Sequence, residues 1–217
     1  MIDRIALQGF DLREYTAAVI GCGGLGCNIA THLACAGIGK LILCDFDTVS
    51  ESNLNRQFLY THADIGGEKV TLAAKRLSAL APETDIRPVS QKIGTPEDLA
   101  FANGADIVFL AVDNNVARHT VQEYCREKKK PLVNGGVNGF YGTAYLWLPG
   151  KTPDLKAAGL LDVENPRISA VSSTVGVIGA LEVQLGVKLL LGETDAAGAL
   201  HVLDGEEIHK LRLKFPG

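Results

Sequence analysis

The sequence predicts an α/β protein whose sheet runs parallel through its first half and antiparallel through its second, with helices on both faces. Three observations predict it. Strand-length apolar runs alternate with helical spacing as far as residue 127, the pattern of parallel strands joined by crossover helices. A glycine-rich turn, Gly21-Cys-Gly-Gly-Leu-Gly26, joins the first strand to the first helix, as in Rossmann-like three-layer folds. The C-terminal stretch reads instead as an antiparallel hairpin turned by Asp204-Gly205. With 217 residues the chain suffices for one sizeable core, and a second would be a squeeze.

The first strand is the apolar run 17–20, and the small and apolar residues of 26–36 suit a helix packed on a sheet. A second strand, 40–45, leads into a polar loop, 48–67, long enough to be functional or mobile. Val70, Ala73, Ala74, Leu77 and Leu80 recur at helical spacing, and that helix stops before Pro82. A strand at 86–89 precedes a helix at 95–102, with Pro96 at the favoured first position. The continuous apolar run 105–112 is what a central parallel strand needs, and it ends in Asp113-Asn114. After a helix at 116–127, strand character returns at Leu132-Val133 and over 142–148. Loop-like composition over 149–169 gives way to a helix at 172–191, ended by Gly192, and the hairpin pairs 199–203 with 208–213.

Composition excludes several classes of function. Hydrophobic residues at 47% with 21% charged are ordinary for a globular protein, and a net charge of −4 speaks against nucleic-acid binding. The most apolar helix is interrupted by Glu182, Gln184 and Lys188, so no membrane span is expected. No secretory signal is visible behind Met1-Ile-Asp-Arg4, which points to a cytoplasmic protein. The five cysteines form no C-x-x-C pair and read as buried reduced thiols.

The chemistry starts at the glycine loop. Gly21, Gly23 and Gly26 permit a tight turn and a close approach to phosphate, which the helix N-terminus attracts through its N–H groups and dipole. Asp45, at the end of the second strand, suits ribose hydroxyls. By itself this pattern fits a nicotinamide-dependent oxidoreductase. Asn53, Arg56 and Lys69 close behind Asp45 fit a triphosphate better, because anionic oxygens need cationic clamps. Lys69 at a helix start could share a phosphate with nearby N–H groups, and Asp113 at a strand tip suits Mg²⁺. Blander roles remain: Arg56 and Lys69 as solvated cations, and Asp113 as a helix N-cap.

Four segments together resemble the ThiF/MoeB/HesA family, bacterial relatives of ubiquitin-activating enzymes. They are the glycine loop, Cys44-Asp-Phe-Asp-Thr-Val-Ser-Glu-Ser-Asn-Leu-Asn-Arg-Gln57, Gly67-Glu-Lys69 and Val112-Asp-Asn114. The resemblance covers most of the chain. It implies one adenylation domain over 1–217, with an N-terminal arm at 1–15 and a crossover loop at 149–171. It implies ATP- and Mg²⁺-dependent adenylation of the C-terminal glycine of a ubiquitin-like sulfur-carrier protein ending in Gly-Gly, for thiamine, molybdopterin or a related product. Gly24 and its neighbours would cradle ATP, and Asp45 would hold the ribose. Asp47, Ser52, Asn53, Asn55, Arg56, Gln57 and Lys69 would build the phosphate end, and Asp113 would bind Mg²⁺ with Asn114 beside it. The family's homodimers complete each site with an arginine from the partner's arm. Arg4 is the candidate, Arg13 the fallback, and an exposed terminal arginine the blander reading.

Two departures stand out. Many relatives bind zinc through paired cysteines, but no cysteine follows Cys125 here, so no zinc is expected. Many carry a crossover-loop cysteine that accepts the carrier, where this chain has only Ser169, Ser172, Ser173 and Thr174. The mechanism is therefore expected to stop at the adenylate, with Cys22 or Cys27 the first thiols to test. A nucleotide-binding scaffold without catalysis is the third reading.

Overall fold

The computed structural model describes residues 11–161 and 170–213. Arg4 and Ser169 lie outside that range. Eight strands form one mixed sheet in the order β3-β2-β1-β4-β5-β6-β7-β8. β1 (Thr16–Ile20), β2 (Lys40–Cys44), β3 (Asp85–Val89), β4 (Ile107–Leu110) and β5 (Leu132–Asn138) run parallel. β6 (Tyr141–Trp147), β7 (Ala199–Leu203) and β8 (Ile208–Arg212) continue from β5 as antiparallel neighbours. The expected halves of the sheet are both present.

Four α-helices and a 3-10 helix cover the two faces. α1 (Gly24–Cys35), α2 (Lys69–Leu80) and α4 (Ser172–Leu190) share one hydrophobic core with one face of the sheet. α3 (Asn115–Glu127), the 3-10 helix Pro96–Ala102 and residues Leu155, Leu160 and Leu161 share the other. The sequence predicts an ordinary helix at 95–102. Its replacement by a 3-10 helix follows from its short length and from Asp98, whose carboxylate accepts the N–H groups of Gly94 (2.9 Å) and Thr95 (2.8 Å) and pins the first turn. β5 is also longer than the sequence pattern indicates.

Among the described helices, α4 is long and apolar enough to cross a bilayer. Here its apolar surface packs on the sheet instead, with Ile178 and Leu185 buried in the core. Its glycines permit the close approach. A Cβ at Gly186 would fall 2.5 Å from the Phe109 ring, so β4 and α4 could not keep this spacing with any other residue there. The 48–67 loop is compact rather than open, because Val49 N–H donates to Gly67 O and Gly66 N–H donates to Val49 O, both at 2.9 Å.

Candidate active site

The C-terminal ends of the parallel strands open into one cavity of about 1070 Å³, the location expected for ligands in an open α/β sheet. Its walls come from the glycine loop, the ends of β2 and β4, the 48–67 loop, α3, β5 and β6.

The glycine loop is built by close contacts. Gly21 has φ +101°, and a Cβ there would stand 2.5 Å from Ala111 O. A Cβ at Gly26 would stand 1.9 Å from Gly21 O, so this glycine serves the turn and does not line the cavity. Gly23 is the N-cap of α1 and offers no capping side chain, which leaves the first N–H groups of the helix for a ligand. Asp45 locks the loop to β2: one carboxylate oxygen accepts Cys22 N–H at 2.6 Å and the other accepts Asp47 N–H at 2.8 Å. It lines the cavity and retains acceptor capacity for hydroxyl groups.

Lys69 opens α2 and is nearly enclosed, its side chain 7% exposed. Its ammonium pairs with Asp47 at 3.1 Å, and both residues line the cavity. The Lys69 N–H is taken by Asp47 O at 3.0 Å, so only the ammonium of this residue is left to meet a phosphate. Buried Tyr60 donates to Cys22 O at 2.8 Å and Lys69 O at 3.3 Å, tying the glycine loop to the start of α2.

Arg56 lies against the glycine loop, its Cγ 3.4 Å from where a Gly24 Cβ would be. It donates to Ser52 O at 3.1 Å and Asn55 Oδ1 at 2.8 Å. Ser52 and Asn55 do not line the cavity; they orient Arg56. Asn53 and Gln57 do line it. Asn53 accepts Ser50 N–H at 3.1 Å, while buried Gln57 has an amide oxygen without a partner.

Asn114, rather than Asp113, caps α3, accepting Ala117 N–H at 2.8 Å. The sequence allowed Asp113 that duty. With the cap supplied by its neighbour, the exposed Asp113 carboxylate is presented to the cavity beside the glycine loop. One carboxylate together with phosphate oxygens is a usual Mg²⁺ donor set, so the residue present fits that ion.

Several cavity residues escape the sequence reading. Beyond Asp45, Phe46, Ile93, Gly94 and Val116 form an apolar end, with the Lys92 ammonium 5.6 Å from the Phe46 ring centre. At the other end stand Arg118, Asn134, Gly135, Gly136, Tyr141, Gly142 and Thr143. The Gly135-Gly136 pair was the available signal there, since glycine in a strand marks a close backbone approach.

The thiols beside the loop are not poised for catalysis. Cys22 and Cys27 are free but buried; burial drives Cys22 well up and Cys27 up to about 12. Cys35 is exposed, but it ends α1, about 16 Å along the axis from the helix start at the cavity.

Known proteins resemble this chain in sequence and in fold. The ThiF family model matches residues 4–216. The molybdopterin-synthase adenylyltransferase of Escherichia coli K12 is 34% identical over 201 residues, covering 87% of this chain and 80% of its own. The sulfur carrier protein ThiS adenylyltransferase of the same organism is 34% identical over 213 residues, covering 95% and 84%. Among solved structures, Escherichia coli MccB with MccA-N7isoASN has the same fold, with a TM-score of 0.82 at 23% identity. The alignment covers 93% of this chain and 65% of that one.

Proposed function

This chain belongs to the ThiF family, and on that footing we propose that it adenylates the C-terminal glycine of a ubiquitin-like sulfur-carrier protein. The observation that carries the reading is the meeting of Arg56, Lys69 and Asp113 with the glycine loop around one cavity. A hydride-transferring enzyme has no use for that set, whereas a triphosphate does.

ATP lies with its base in the apolar end near Ile93, its ribose on Asp45 and its phosphates along Gly23, Gly24 and the start of α1. Arg56 and Lys69 hold the phosphate oxygens, with Asn53 and Gln57 at the same end. Asp113 would hold Mg²⁺, which supplies charge neutralisation to the phosphates. The carrier's carboxylate attacks the α-phosphorus, the bond to the bridging oxygen of pyrophosphate breaks, and an acyl-adenylate remains. Positioned cations stabilise the charge that builds during this displacement. An extended Gly-Gly tail enters along β5 and β6, where Gly136 and Thr143 line the same cavity.

The adenylate is then consumed by a sulfur donor from outside the chain. The absence of cysteine after Cys125, together with the burial of Cys22 and Cys27, supports this and a zinc-free enzyme. Five free cysteines support a reducing compartment, here the cytoplasm. A homodimer in which Arg4 serves the partner's site completes the proposal.

Carrier-dependent ATP–pyrophosphate exchange with proteins ending in Gly-Gly tests the reading. Exchange should require Mg²⁺ and vanish in Asp113→Ala. Tight NAD binding without ATP binding would overturn it, and ATP binding without exchange on any carrier would favour a scaffold.

A further inference from the structure

Besides Arg56 and Lys69 at the phosphate end and Lys92 over Phe46, the cavity holds one more cation. Arg118 lies on α3, one turn beyond its Asn114 cap, and lines the cavity. Its Nη2 donates to Asn134 Oδ1 at 3.0 Å and Gly135 O at 2.9 Å, and its Nη1 donates to Leu160 O at 3.3 Å. All three acceptors are uncharged. The Nε is buried and has no partner among the described residues, and no described carboxylate pairs with the guanidinium within 4.0 Å. Guanidinium stays charged in proteins, so among the described residues the cavity wall carries a cation without a direct counter-ion.

Two acids lie within electrostatic range, and neither neutralises it directly. Glu182 is fully buried behind Gly135, and burial pushes its carboxyl well above the usual carboxylate range. Asp113 sits at the mouth, where the proposed Mg²⁺ would engage it.

Position assigns the cation a ligand. In sheet order, the nucleotide residues Asp45, Gly23 and Asp113 follow β2, β1 and β4, while Gly136, Thr143 and Val202 line the cavity over β5, β6 and β7. Arg118 stands between the two halves, against Asn134 and Gly135 in the middle of β5, where a tail crossing the sheet must end to reach an α-phosphorus. We propose that Arg118 docks the terminal carboxylate of the carrier and holds it in line for attack. Its three carbonyl contacts fix the guanidinium before the tail arrives, so the anion meets an aimed charge. This rests on the adenylation reading and adds a residue to it.

The test uses a synthetic hexapeptide ending in Gly-Gly, as free acid and as C-terminal amide. Each is titrated by NMR into the full chain with α,β-methylene-ATP and Mg²⁺ occupying the phosphate end. The wild type should bind the acid at least about tenfold more tightly than the amide, as expected for a charge-assisted contact in a partly desolvated site. The Arg118 Nε–H resonance should move with the acid alone. Arg118→Gln should erase the preference, and Arg118→Lys should keep part of it. Equal or undetectable binding of the two peptides to the wild type overturns the proposal. So does an acid that binds without moving the Nε–H resonance, a measurement that needs no variant to fold. A preference that survives Arg118→Gln does the same. Carrier-dependent exchange by the wild type, measured separately, shows whether the adenylation reading stands when this assignment falls.

Discussion

At the scale of single residues, Lys69 carries the strongest expectation. Its ammonium is nearly enclosed, aimed into the cavity, and held by Asp47. Removing a charge positioned at developing phosphate charge costs on the order of 10²–10³ in rate. Lys69→Ala should therefore lower kcat/KM for pyrophosphate exchange by at least about a hundredfold, while Asp47→Asn, which disturbs only the aim, should cost about tenfold. A Lys69→Ala enzyme within threefold of wild type would remove this residue from the machinery. The thiols give a second expectation. Under native conditions at pH 8, iodoacetamide followed by mass spectrometry should modify Cys35 and leave Cys22 and Cys27 intact, because the thiolate is the nucleophile and burial suppresses it at both inner sites. Ready labelling of Cys22 or Cys27 would reopen a covalent route. Most cavity residues of the glycine loop and the Asp45–Lys69 region were legible in the sequence, because their spacing follows a loop that folds locally. Arg118 was not. In sequence it is another helix cation, and its burial depends on Asn134 and Leu160, sixteen and forty-two positions away.

At the scale of elements, α4 brings a conflict between pattern and chemistry. It is a core helix with an acid at its buried centre. Glu182 is fully buried with both carboxyl oxygens unpartnered, and a Cβ at Gly135 would come within 2.4 Å of one of them. Burial raises its pKa well above the ordinary 4.5. Below that value both folded and unfolded chains hold the proton. Above it the unfolded chain releases its proton while the folded one keeps it, so stability falls as pH rises, by up to about 1.4 kcal/mol per pH unit until the folded group also ionises. Glu182→Gln removes the titration. Its gain over wild type in denaturant unfolding should be larger at pH 8 than at pH 5. Equal gains at the two pH values would show that Glu182 is ionised in the fold. The elements themselves were mostly legible, since apolar runs and helical spacing are local signals. β5 was cut short in the reading because Asn134, Gly135 and Gly136 dilute its strand pattern, and its outer half exists by pairing with β6. The 95–102 segment kept its place but not its helix type, which Asp98 decides.

At the scale of the whole molecule, the mixed sheet joins a parallel half and an antiparallel half, and one cavity is lined by residues of both. On the proposed function the parallel strands supply helix N-termini and acids for ATP, and the antiparallel strands extend the floor for a peptide. The parallel and antiparallel halves were legible from the alternating apolar runs and the C-terminal hairpin, while the cavity that joins them depends on contacts across the fold. Arg56 and Lys69 are the cations at the phosphate end of the described residues, against the several negative charges of a triphosphate. A further cation from a partner subunit would stabilise the departing pyrophosphate, which is the role proposed for Arg4. A two-subunit experiment isolates it. Arg4→Ala chains and Asp113→Ala chains are each expected to be impaired in exchange, and they carry different tags so that heterodimers can be purified. In a heterodimer, the Arg4→Ala subunit keeps its own Asp113 and receives Arg4 from its partner, while the other site lacks both. One site in two is then whole, and activity per heterodimer should return to about half that of a wild-type dimer under two-fold symmetry. If Arg4 acts within its own chain, each site of the heterodimer has one defect and activity stays at the level of the single variants. Both subunits must first be shown by mass to be present in equal amounts, since residual homodimers cannot produce the recovery.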